Sequence, residues 1–155
     1  MFVIIMFGAR ISGSHYNPII TFSYMIGNVR QGKFDRLLGL FYIAAQFAGA
    51  MAAGLMNSFL RAGGEADLRP TIEVSNYWGS TVCEIVGSFI IVFMYLCSTE
   101  DSTKFTKDSV MQTMVLAGSY LAAMTFSGSY VKRLFISPVN PAIALSMCIF
   151  NSSSD

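Results

Sequence analysis

From Leu37 to Leu60 the chain carries no charged residue, from Gly79 to Thr99 only Glu84, and from Ser109 to Val131 none. Uncharged apolar runs of about 20 residues are the length that crosses the hydrocarbon core of a bilayer as a helix. Composition agrees: 54% of the 155 residues are hydrophobic and 12% charged, where a soluble domain carries roughly a quarter charged residues. The chain reads as an all-α, multi-pass integral membrane protein. Spanning helices are expected at about Leu37–Leu60, Gly79–Cys97 and Ser109–Ser127.

Two further apolar runs are too short to span. Pro18 to Gly27 and Pro141 to Phe150 are each half the length of a crossing, and each opens on Asn-Pro, in "SGSHYNPIITF" and "SPVNPAIALSM". Proline suits the first helical turn, where the missing N–H costs nothing. Asparagine suits the cap, where its side-chain oxygen accepts a backbone N–H. The amide NH2 then remains as a donor at the helix tip. Irregular backbone survives at membrane depth only where protein buries it or where it lines a wet cavity. Each Asn-Pro therefore predicts a re-entrant half-helix that begins inside the membrane.

The rest of the chain arranges these pieces. An apolar stub at residues 2–7 leads into a polar turn, "GARISGSHY". Arg30, Lys33 and Arg36, against Asp35, place the 28–36 loop in the cytoplasm by the positive-inside rule. Two spans later "STEDSTKFTKD" returns to that side, so the second Asn-Pro loop enters from the opposite face. Opposed approach is the pattern of inverted-topology repeats. Two half-helix N-termini meeting at the midplane would together carry about one positive charge. At 4 Å and an effective dielectric near 20, that opposes a unit cation by roughly 4 kcal/mol. Neutral solutes that accept hydrogen bonds would pass.

Other classes of function find little support. A net charge of +1 gives no reason to expect a nucleic acid partner. One histidine, no paired carboxylates within a span and no metal-ligand spacing argue against an enzyme, and no catalytic residue, metal or cofactor is expected. Cys83, Cys97 and Cys148 lie in apolar segments without CxxC spacing and read as small buried hydrophobes. The small residues Ala44, Ala45, Ala48, Gly49, Ala52 and Ala53 read as a close helix-packing face.

Four motifs in order resemble the major intrinsic protein family, the aquaporins and aquaglyceroporins. "SGSHYNPIIT" resembles the first pore loop and "YIAAQFAGA" (Tyr42 to Ala50) the third helix with its glutamine. "CEIVGSFIIVF" (Cys83 to Phe93) resembles the fourth helix with its glutamate, and Asn140-Pro141-Ala142 is the second pore motif. The resemblance implies an aquaporin-like inverted repeat, a single partial transmembrane domain over 1–155. The first helix, most of the second and the sixth have no counterpart in it. It makes Asn17, Pro18, Ile19, Asn140, Pro141 and Ala142 the pore motif, with His15, Gln46 and Glu84 as pore-loop supports. His15 reads as a packed loop residue in preference to a pH sensor. Backbone carbonyls of Ser14, His15, Tyr16 and of Ile136 to Val139 would accept hydrogen bonds along the solute file.

Two substitutions depart from the family pattern. Ile19 replaces an alanine where the half-helices meet, which predicts overpacking or a displaced loop. Ile143 stands where the family has a constriction arginine, in a ring with Ser137 and Thr125. The function implied is a membrane channel for water or small neutral solutes (glycerol, urea, ammonia), gated by the paired half-helices. Its expected partners are the lipid bilayer, the solute, and a homotetramer or larger membrane assembly. The alternative is a non-conducting structural or assembly subunit that keeps the architecture.

Overall fold

The computed structural model describes residues 2–28, 34–60, 77–100, 102–128 and 137–151, and among them all regular structure is helical. In chain order the helices are α1 (Phe2–Ser12), α2 (Pro18–Asn28), α3 (Arg36–Leu60), α4 (Tyr77–Thr99), α5 (Ser109–Gly128) and α6 (Pro141–Asn151). Helices α3, α4 and α5 are long and apolar enough to cross a membrane, and their ends lie within two residues of the expected spans. Both Asn-Pro runs are helices of 11 residues. Residues 29–33, which carry Arg30 and Lys33 of the orienting loop, lie outside the described residues, as do the 61–76 link and Ile136.

Four helices start on the same chemical device, a side-chain oxygen that accepts an orphan backbone N–H. Asn17 Oδ1 accepts from Ile19 N at 3.0 Å and Asn140 Oδ1 from Ala142 N at 3.0 Å. Asp35 Oδ1 accepts from Leu37 N at 3.0 Å to open α3, and Asp108 Oδ1 from Val110 N at 2.9 Å to open α5. One expectation fails at the start of the chain. The stub at residues 2–7 does not stop at Gly8, because α1 runs on to Ser12. Ile5 anchors it in the core, and the chain turns only at Gly13, whose φ of +74° makes it the left-handed residue that ends a helix.

Helix α3 lies alongside both half-helices. Near its start Gly39 faces Met25, late in α2. At its middle Gln46 Nε2 donates to Thr21 Oγ1, early in α2, at 2.9 Å. Just beyond, Ser146 Oγ of α6 donates to Ala50 O at 2.7 Å, and Gly54 faces Ser146 and Phe150. The half-helices therefore lie head to head along about 22 Å of α3, N-termini facing. This is the inverted arrangement that the loop charges predict.

The core gathers on the other side. Ile5 of α1, Ile20 of α2, Ile91 and Tyr95 of α4, Leu116, Tyr120 and Ala123 of α5, and Val139 of the second loop form one buried cluster. Helices α4 and α5 pack antiparallel there, with Ser127 Oγ donating to Cys83 O at 2.8 Å. The outer surface carries exposed Phe41, Phe59, Phe89, Phe93 and Leu121, an apolar coat that suits lipid and not water. Two packing expectations need correction. The face of Ala44, Ala45, Ala48, Gly49, Ala52 and Ala53 is exposed, and a Cβ at Gly49 would meet nothing within 4 Å. The α6 contact uses Ala50 and Gly54 instead, because Ser146 needs the Ala50 carbonyl. Cys83 is buried as expected, but Cys97 is partly buried and Cys148 exposed.

Candidate functional site

Where the two half-helices meet, each asparagine holds the opposite loop. Asn17 Nδ2 donates to Val139 O at 3.0 Å, and Asn140 Nδ2 donates to Tyr16 O at 2.9 Å. The accepting carbonyl belongs in each case to the residue just before the other asparagine. Both of those residues have left-handed backbones, φ +45° at Tyr16 and +38° at Val139. Neither is glycine, and for β-branched valine this region is a genuine outlier. The strained turns aim each carbonyl at the facing amide. The tips are buried, Asn17 at 1% and Asn140 at 5% exposure.

An amide NH2 has two hydrogens, and each asparagine spends one across the gap. Asn140 also lines a cavity of about 450 Å³ whose wall includes Ser12, His15, Tyr16, Gln46 and Ile143. Asn17 is not part of that wall. Of the two donors expected to face a lumen, only Asn140 borders this cavity. Tyr16 and Ile143, on its wall, are 40% and 38% exposed, so the cavity is open to the surface at these two residues.

The first pore loop is held by an aromatic enclosure. The His15 ring contacts Tyr24, Phe34, Tyr42 and Tyr95 at centroid distances of 5.2 to 5.6 Å. His15 Nδ1 pairs with Thr21 Oγ1 at 3.1 Å, and the Tyr95 hydroxyl donates to Gly13 O at 2.5 Å. Thr21 Oγ1 thus pairs with both His15 Nδ1 and Gln46 Nε2. His15 is a packed loop residue. Gln46 reaches the loop through Thr21, while its Oε1 is buried without a partner among the described residues. Sequence reasoning passed over Thr21, Tyr95 and Ser146. A polar residue one turn into an apolar half-helix was the available signal for Thr21 and Ser146.

The remaining expected residues are dispersed. Glu84 is half-buried on α4 and makes no hydrogen bond among the described residues. Ile19 is half-buried while Ala142 is 2% exposed, so the extra carbons of Ile19 have an outlet and the reciprocal asparagine bonds form beside it. Ser137 is buried, its Oγ without a partner among the described residues, and hangs on α5 through its N–H to Met124 O at 3.0 Å. Thr125, next along α5, is exposed, and its hydroxyl donates back to Leu121 O and Ala122 O. Of the expected constriction trio, only Ile143 lines the cavity.

The geometry agrees with comparison to known proteins. Residues 1–153 match the family profile described as Major intrinsic protein. Aquaporin TIP2-1 of Arabidopsis thaliana is 31% identical over 134 residues, covering 83% of this chain and 51% of that protein. Aquaporin TIP2-2 of Zea mays is 33% identical over 136 residues, again 83% and 51%. Aquaporin TIP1-2 of Musa acuminata is 25% identical over 158 residues, covering all of this chain and 58% of its own. The chain spans about half the length of the relatives it matches. With an apolar helical scaffold and two asparagine-tipped half-helices meeting head to head, the chain belongs to the major intrinsic protein family.

Proposed function

We propose that this chain carries the central passage of a membrane channel for water and small neutral solutes. The observation that carries the reading is the reciprocal pair of asparagine bonds, which leaves Asn140 with a fixed donor at the edge of a cavity. A solute that accepts a hydrogen bond replaces part of its hydration there. A cation meets the positive ends of two helices and gains no acceptor from the amides. Selection would then rest on charge and hydrogen-bonding capacity together. The described helices leave the cavity open on the side of Tyr16 and Ile143. Conduction on this reading occurs in an assembly, a homotetramer or a larger complex, whose other helices close that side.

The opening at Tyr16 and Ile143 also supports a second reading, a non-conducting subunit that keeps the half-helix architecture for assembly. Stopped-flow osmotic shrinkage of proteoliposomes separates the two. The chain alone should shrink no faster than empty vesicles, because exposed backbone polar groups facing lipid cost several kcal/mol each. Co-reconstitution with the remaining helices of a relative should give a clear acceleration that Asn140→Asp abolishes. No acceleration in the complete assembly would favour the subunit reading.

A further inference from the structure

We propose that Gly87 on α4 is a positioning residue for the pore centre. It seats Val139, and through the Val139 carbonyl it governs the Asn17 amide. The left-handed backbone of Val139, φ +38°, is one that a β-branched residue keeps only when its surroundings hold it there. Those surroundings are specific. Val139 is 1% exposed, and its Cγ1 would lie 3.0 Å from a Cβ built on Gly87. That Cβ would also collide with Ser127 Oγ and come within 3.2 Å of Ala123 O. The space left by the missing side chain at 87 is therefore filled from two directions, by α5 and by the second pore loop. Any atom added there pushes on Val139, whose carbonyl is the acceptor for Asn17 Nδ2.

The first loop has a counterpart. Tyr16, φ +45°, places its ring tip over Gly8 of α1, where an added Cβ would collide with the tyrosine hydroxyl. Each left-handed residue thus stands over a helical glycine. The two seats are not equally strict. The three nearest atoms at Gly8 all belong to side chains, the Tyr16 ring and the Ser14 hydroxyl, whereas at Gly87 Val139 is enclosed and the Ala123 carbonyl is backbone. The coupling is also crossed: Gly87 acts on Asn17, and Gly8 acts, more weakly, on Asn140, which donates to Tyr16 O.

Side-chain amide hydrogen exchange in protein labelled with 15N-asparagine, measured by NMR in nanodiscs, tests this without requiring conduction. Ser127→Ala first removes the oxygen that a Cβ at 87 would strike; it also removes the Ser127–Cys83 bond between α4 and α5, so Ser127→Ala alone is the reference for every comparison. Adding Gly87→Ala to that background should speed exchange of the Asn17 amide roughly tenfold, about one net hydrogen bond, and that of the Asn140 amide clearly less, because Asn140 is reached only through the cooperation of the two tips. Adding Val139→Gly as well, a residue at ease with positive φ, should restore Asn17. Gly8→Ala should act on Asn140 more than on Asn17. An unchanged Asn17 amide in the double variant, equal changes at both asparagines, or failure of Val139→Gly to restore protection would each overturn the proposal. Any effect on permeation rests on the channel reading; the exchange measurement does not.

Discussion

Asn17 and Asn140 are each bound to the residue that precedes the other, at 3.0 and 2.9 Å. Each also caps its own helix. Replacing either by alanine removes a cap, worth about 0.5–2 kcal/mol, and one of the two bonds across the gap. The two single variants should lose similar stability in detergent unfolding. The double variant should lose less than their sum, because once one bond is gone the tips separate and the second is weakened. Strict additivity would mean that the tips do not cooperate.

Thr21 and Gln46 share one bond but should respond differently. Thr21→Val keeps the shape and strands His15 Nδ1 and Gln46 Nε2, costing about 1–3 kcal/mol. Gln46→Leu removes a bond and, with it, an acceptor that has no partner among the described residues. Its cost should fall below about 1 kcal/mol, since deleting both groups removes a desolvation penalty as well. Thermal unfolding of the two variants checks the order, and a costlier Gln46→Leu would contradict the network.

Two glycines of α3 make a paired comparison. A Cβ at Gly54 would collide with Ser146 Oγ and Phe150, so Gly54→Ala should cost about 1–3 kcal/mol through overpacking. Ser146→Ala in the same chain should recover part of it. A Cβ at Gly49 meets nothing within 4 Å, so Gly49→Ala should be neutral or stabilise by up to about 1 kcal/mol through helix propensity. Unfolding in detergent, followed by circular dichroism, reads both.

Ile143 bears on solute choice in a conducting assembly. It lines the cavity beside Asn140, has no charge and donates no hydrogen bond. Ile143→Arg should lower the ratio of glycerol to water permeability several-fold, while Ile143→Val changes it little. Light-scattering measurements of both fluxes provide the check. An unaltered ratio in the arginine variant would place position 143 away from the path.

The half-helices were legible because Asn-Pro combines a cap, a first-turn residue and a length too short to span. The long helices were legible because charge is expensive in lipid. What escaped was set by contacts distant in sequence. Gly8 to Ser12 reads as a polar turn, yet α1 continues because Ile5 and the Tyr16 ring fix it from outside. The positive φ at Val139 runs against the preference of a β-branched residue and follows from a seat on α4, 52 positions earlier in the numbering. The alanine-rich face of α3 looked like a packing stripe, but the hydroxyl of Ser146, invisible as a helix partner from sequence, selected Ala50 and Gly54 instead.

Helix α3 acts as a splint. Neither half-helix is joined to the other by chain at the tips, and both are clamped at fixed stations along one rod, at Gln46 and at Ala50. One residue inserted between those stations would advance the second clamp by 1.5 Å and rotate it by about 100°. The gap between the two asparagines is thus gauged by the length of a helix that does not touch either of them through its own hydrogen bonds.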